Sequence, residues 1–161
     1  MIASTAINEK WAVRFATLDD AQWLVESTAR MAAEWPEDTA LLPDDPTYCG
    51  VLWLDAIAHH FVSIVERNGQ RRGFLLAYIQ PHPFNGRPSC FSALWYVMPP
   101  AKHTRAGLLL LNHFTEWCRA NVDFFTFVLH QPGNAGHDTM VRLGYHPNPE
   151  RMYNQWGRRA K

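Results

Sequence analysis

The chain has no long apolar run, no surplus of either charge and little cysteine, and each absence removes a class of protein. No stretch approaches the roughly 18 consecutive apolar residues needed to cross a bilayer. The first ten residues, Met-Ile-Ala-Ser-Thr-Ala-Ile-Asn-Glu-Lys, have neither the basic start nor the apolar core of a secretory signal. Fifteen basic residues balance fifteen acidic ones, so net charge points to neither a nucleic acid nor a membrane surface as partner. Cys49, Cys90 and Cys118 are odd in number, widely spaced and free of any C-x-x-C pair. That argues against a disulfide framework or a zinc ribbon and for reduced thiols in a cytoplasmic protein. Repeats and low-complexity tracts are absent too.

What is present is a globular composition, 47% hydrophobic and 13% aromatic over 161 residues, enough for one core. The patterning predicts a disordered or extended lead-in over 1–10, one domain over 11–157 and a basic tail, Arg158 to Lys161. Trp11 to Ala16 reads as a strand, and Thr17 with Asp19 and Asp20 as a helix start. Apolar positions Leu24, Val25, Thr28, Met31 and Ala32 carry that helix to Trp35-Pro36. Asp45-Pro46 opens a second helix reaching about His59. Phe61 to Glu66 and Gly73 to Gln80 flank an Asn68-Gly69 pair, a strong hairpin signal, and Cys90 to Val97 is a third strand. Leu108 to Asn121 then reads as a helix, with Leu110, Leu111, Phe114 and Trp117 inward. Asp123 to His130 is an apolar run of the kind covered on both faces. A short helix over Ala135 to Leu143 and a last strand over Arg151 to Trp156 complete the order β α α β β β α β α β, a mixed α/β domain.

One segment carries more than fold. In Leu94-Trp-Tyr-Val-Met-Pro-Pro-Ala-Lys-His-Thr-Arg-Ala-Gly-Leu108 a strand ends at a proline turn and a loop with Lys102, His103 and Arg105 runs into a helix start. Such a junction offers unpaired backbone N–H groups and the positive end of the helix dipole, a ready seat for phosphate. An ordinary helix N-terminus with two surface cations is the plainer alternative.

This stretch resembles the GNAT (GCN5-related N-acetyltransferase) superfamily: a strand, a V-x-P turn and a pyrophosphate loop of the form R/Q-x-x-G-x-G/A. Lys102 stands at the Arg or Gln position, Arg105 replaces the first glycine and Gly107 matches the last. The Asn134 region and Leu143-Gly-Tyr145, similar to the family's L-G-F, extend the resemblance from Trp11 to Trp156. It implies the GNAT fold, an α+β mixed sheet that is mostly antiparallel with one splayed parallel pair, flanked by about four helices. It implies acetyl-CoA as co-substrate. The pantetheine would lie in the splay against Tyr96 and Val97, and the pyrophosphate on Lys102, His103, Thr104, Arg105, Ala106, Gly107 and Leu108, with Asn134 nearby. The partner implied is an amine acceptor, small molecule or peptide, with a homodimer as an option. The K-x-x-R-A-G pattern also resembles GNAT-like proteins of phage genomes, whose roles are diverse.

The family's usual proton-handling groups are missing. Ser92, Ala93, Leu94 and Trp95 fill the stretch where a catalytic Glu often stands, and Met140 stands where a Tyr donor is common. By position Tyr153 on the last strand is a candidate donor to the departing thiolate, and His130 a candidate base; packing and a loop hydrogen bond are their plainer readings. His82 and Tyr145 are weaker candidates. The acceptor cleft implied by the family would draw on Trp35, Tyr48, Trp53 and Tyr153 with Asp38, Asp44 and Asp45. That mixture suits a cationic or aromatic amine, although solubility accounts for the acids equally. No metal is expected: His59 and His60 are adjacent on a helix and face apart. The seven tryptophans, Trp23, Trp53 and Trp117 among them, read as packing residues.

Overall fold

Local chemistry sets most of the element boundaries in the structure, a computed structural model that describes residues 9–34, 45–128, 134–147 and 152–156. Strand β1 (Trp11–Phe15) passes through a turn of 3₁₀ helix (Leu18–Asp20) into helix α1 (Ala21–Glu34). Thr17 and Asp20 form the capping box between them, the Thr17 N–H donating to Asp20 Oδ2 at 2.8 Å. Helix α2 (Pro46–His59) starts on Asp45, whose carboxylate accepts the Thr47 N–H at 2.8 Å. Strands β2 (Phe61–Arg67) and β3 (Gln70–Pro81) meet at Asn68-Gly69. Both turn residues have positive φ, 54° and 76°, the two-residue turn whose twist matches a hairpin.

Strand β4 (Pro88–Val97) is followed by helix α3 (Ala106–Asn121), strand β5 (Phe124–Val128), helix α4 (Asn134–Arg142) and strands β6 (His146–Pro147) and β7 (Met152–Trp156). The seven strands form one sheet in the order β1-β2-β3-β4-β5-β7-β6, with every neighbouring pair antiparallel except β4 and β5. The mixed sheet and the helix order agree with the sequence. Three corrections apply: α3 begins at Ala106, β3 at Gln70, and the two-residue β6 was not anticipated. The predicted lead-in up to residue 8, residues 35–44 between α1 and α2, His130 and the basic tail lie outside the described residues.

Helices cover both faces of the sheet, which is why its central strands read as continuous apolar runs. On one face α3 lays Leu110, Leu111 and Phe114 against Phe61, Leu75, Phe125 and Phe127. On the other, α1 and α2 lay Leu24, Met31 and Trp53 against Ile64, Phe74 and Tyr96. Among the described residues no helix is long and apolar enough to cross a membrane.

Asp20 fastens the start of α1 to this sheet. Its fully buried carboxylate accepts two bonds from the Arg14 guanidinium, at 2.7 and 2.9 Å, and one from Arg71 Nε at 2.7 Å. Arg14 also donates to Glu66. Burial alone would raise the Asp20 pKa; the bonds from Arg14, Thr17 and Arg71 outweigh it and hold the carboxyl well below the usual range. Asp20→Ala would leave two guanidiniums without their buried partner and should cost about 3–5 kcal/mol in a urea titration. Because the folded pKa is depressed, this contribution is present above about pH 4 and is lost as pH falls through the carboxyl's folded pKa. Asp20→Asn should therefore flatten the acid limb of the stability profile.

Candidate functional site

Strands β4 and β5 pair over only three positions, Ser89↔Phe124, Cys90↔Phe125 and Phe91↔Thr126. Just beyond, Ser92 Oγ accepts the Val128 N–H at 2.9 Å. The β3/β4 register also shifts there, from Ala77↔Ser92 to Leu76↔Leu94, leaving Ala93 as an extra residue on β4. A bulge of this kind bends a strand and increases its twist. From Ala93 to Val97, β4 has β3 on one side and no ladder partner on the other among the described residues. Met98 N–H donates to Arg72 O at 2.9 Å. Since hydrogen-bonding direction alternates along a strand, the peptide groups of Trp95 and Val97 face away from β3 and those of Tyr96 face it. Gly73 lets β3 and β4 lie this close: a Cβ there would stand 2.5 Å from Tyr96 O.

The loop after β4 is shaped by its prolines and one left-handed residue. Pro99–Ala101 form a 3₁₀ turn, His103 has φ 62°, and Thr104 Oγ1 donates to Ala101 O at 2.6 Å while accepting the Ala106 N–H at 3.3 Å. The first helical bond runs from Leu109 N–H to Arg105 O. The N–H groups of Gly107 and Leu108 meet no acceptor among the described residues. Lys102, His103, Thr104 and Arg105 are all exposed around this helix start. Arg105 also lines an open depression of about 440 Å³ with Glu9, Lys10 and Trp11.

Gly107 also lies against strand β4. A Cβ at this position would lie 3.0 Å from Cζ2 of the Trp95 indole, so the missing side chain admits Trp95 of β4 beneath the first turn of α3. Trp95 in turn meets Phe127 edge-on at 5.2 Å. Among the described residues its buried Nε1 has no acceptor, placing a further unpaired donor beside the N–H groups of the helix start. Donors without acceptors between a half-open strand edge and a helix N-terminus are the arrangement that a phosphorylated, amide-bearing ligand fits.

Lys102 and Tyr96 come together through a residue the sequence did not single out. Lys102 Nζ lies 2.6 Å from Glu34 Oε2, and the Tyr96 hydroxyl donates to Glu34 Oε1 at 2.6 Å. Burial works to raise the Glu34 pKa, but the bonds from Lys102 and Tyr96 prevail and lower it. Tyr96, buried and beside that carboxylate, is pushed up. No local pattern marks Glu34; it ends α1, 62 residues before Tyr96.

The candidate proton-handling residues separate. Tyr153 sits on β7 opposite Phe127, and Asn134 opens α4; their side chains, like His130, lie outside what is described. Tyr145 belongs to the core, its hydroxyl 2.7 Å from Thr115 Oγ1. Gly144, at φ 88°, ends α4 with the paired bonds Gly144 N–H to Val141 O and Tyr145 N–H to Met140 O, so Leu143-Gly-Tyr145 is a helix stop. Met140 is fully buried and offers no proton. His82 Nδ1 accepts the Phe84 N–H within a turn, and His60 Nδ1 the Ile79 N–H. Of the expected acceptor-lining residues, Trp53 is instead buried, donating to Thr28 Oγ1 at 3.0 Å, while Tyr48 is exposed. Trp35, Asp38 and Asp44 lie outside the described residues.

No family model matches the chain, and no curated protein sequence does. Solved structures do. A GNAT-family acetyltransferase from Streptococcus pneumoniae superposes with a TM-score of 0.71 at 12% identity over 92% of this chain and 99% of that one. A predicted acetyltransferase from Clostridium acetobutylicum, solved with acetyl-CoA, gives 0.66 at 14% over 88% and 93%. The aminoglycoside N-acetyltransferase AAC(6')-Iy, in complex with the bisubstrate analogue CoA-S-monomethyl-acetylneamine, gives 0.63 at 15% over 85% and 91%. The chain has the GNAT acyltransferase fold.

The contact between Gly107 and Trp95 is testable by a double-mutant cycle. Gly107→Val should destabilise by about 1–3 kcal/mol through overpacking. In a Trp95→Leu background most of that cost should vanish, a non-additivity that urea titrations of the four proteins would measure.

Proposed function

We propose that the chain is an N-acetyltransferase that moves an acetyl group from acetyl-CoA to an amine by direct attack. The observation that carries this reading is the stretch of β4 from Ala93 to Val97 that has no ladder partner opposite β3 among the described residues, with the peptide groups of Trp95 and Val97 turned away from β3, beside the N–H groups that begin α3 without an acceptor among the described residues. The residues present fit the coenzyme. Trp95 and Val97 would hold the amides of the pantetheine, and Gly107, Leu108, Lys102, His103, Thr104 and Arg105 the pyrophosphate. Arg105 in place of a glycine adds a cation at the exposed rim, where it can pair with phosphate. When bound, acetyl-CoA supplies an acyl group already activated as a thioester.

This chain's own contribution is then positional. The gap closes at Ser92, which fixes how deep the co-substrate can reach. A backbone N–H of this β4 edge, turned away from β3, could polarise the thioester carbonyl. Holding amine and thioester in attack geometry contributes on the order of 7–11 kcal/mol, so the absence of a carboxylate from Ser92 to Trp95 is tolerable. Tyr153 is assigned proton delivery to the leaving thiolate and His130 acceptance of the amine's proton. A small-molecule amine is the acceptor class, in line with the aminoglycoside analogue held by AAC(6')-Iy. Three free, buried cysteines suit a cytoplasmic setting.

A second reading, a GNAT-fold binding or structural protein without turnover, draws on the same absences: no carboxylate on β4 next to the gap, and a fully buried Met140 at the usual donor position. The two readings separate in sequence. Acetyl-CoA at 100 times Kd should stabilise the fold by about 2.7 kcal/mol in thermal unfolding, and no shift at millimolar ligand would sink both the coenzyme seat and the enzyme. Arg105→Glu should weaken that binding at least tenfold without moving the midpoint of the free protein. Tyr153→Phe should lower kcat by about 10²-fold or more at unchanged coenzyme affinity. Coenzyme binding with no turnover across a panel of amines would select the second reading.

A further inference from the structure

Glu34, the last described residue of α1, stands out by its partners rather than by its place in the helix. The carboxylate is partly exposed and is held in place by the buried Tyr96 hydroxyl at 2.6 Å. Its other oxygen already holds a primary ammonium, that of Lys102, at 2.6 Å. The structure thus contains an alkylammonium seat made of a carboxylate and an orienting phenol, and its occupant belongs to the loop assigned to the coenzyme pyrophosphate.

Building on the proposed coenzyme site, we propose that Glu34 is the acceptor-anchoring residue: its carboxylate takes an ammonium of the substrate, and Lys102 fills that seat until coenzyme phosphate draws the lysine away. Position along β4 narrows the substrate class. The gap closes at Ser92 and the bulge lies at Ala93, three residues from Tyr96. At about 3.3 Å per residue that is roughly 10 Å, so the ammonium on Glu34 is not the amine that reacts. The acceptor is a diamine or polyamine, anchored at one nitrogen and acetylated at another. The exchange also orders binding: coenzyme first, acceptor second.

The test is titration calorimetry on the full chain with coenzyme A, followed by linear diamines from 1,3-diaminopropane to 1,8-diaminooctane, with butylamine as the single-charge control. Wild-type protein carrying coenzyme A should bind at least one diamine. Glu34→Gln should bind coenzyme A as tightly as wild type or up to about fivefold more tightly, its lysine competitor being gone. The same variant should lose at least tenfold in diamine affinity, and any binding that butylamine's single ammonium shows should fall with it. Lys102→Ala should bind the diamine without coenzyme. Diamine affinity within twofold of wild type in Glu34→Gln, or no diamine binding to the wild-type coenzyme complex, overturns the inference while leaving the coenzyme reading intact. Failure of wild-type protein to bind coenzyme A removes that reading and the inference with it.

Discussion

Three register pairs, Ser89↔Phe124 through Phe91↔Thr126, join the antiparallel half of the sheet, β1 to β4, to the half made of β5, β7 and β6. So short a parallel ladder is a weak seam by itself. What closes it is the helix beneath: Leu110 and Phe114 of α3 belong to the same buried cluster as Phe61 and Leu75 from one half and Phe125 and Phe127 from the other. The seam is therefore held by apolar burial, and beyond Phe91 the Val128 N–H turns to the Ser92 side chain instead of a backbone carbonyl. Among the described residues, the unpaired stretch of β4 and the exposed helix start beside it follow from where this ladder stops.

The bulge at Ala93 and the pair of Trp95 with Gly107 complete the same device. An extra residue on β4 bends the strand where its pairing with β5 stops, and the glycine lets the indole sit under the first turn of α3. The helix N-terminus is thereby brought next to the free strand edge, so donors from two elements converge. Neither element alone makes a site; a helix start in solvent is an ordinary helix start.

Two carboxylates divide the electrostatic work. Asp20 is fully enclosed by Arg14 and Arg71 and fastens β1, α1 and β3 together. Glu34 at the other end of α1 keeps one side toward solvent and meets a lysine that is 40% exposed. A carboxylate with a complete set of buried donors is fixed in place, whereas one paired with a mobile surface ammonium can exchange its partner. The overall charge balance of the chain conceals this difference, because net charge says nothing about where each pair lies.

The sequence by itself determined the element order and most boundaries, because those signals are local: Thr17 with Asp20, Asp45-Pro46, Asn68-Gly69 and the Gly144 stop each act on backbone within a few residues. It also marked the segment Lys102 to Leu108, since a strand, a proline turn and a helix start follow one another along the chain. The tertiary structure alone decided what those residues meet. It gave Gly107 a tryptophan to accommodate, turned the Tyr96 backbone toward β3, buried Tyr145 in the core, and set Glu34 between Tyr96 and Lys102 across separations of 62 and 68 residues. Such pairings come from the packing of α1 and α3 on opposite faces of one sheet, and a periodicity read within a single element carries no information about its partner.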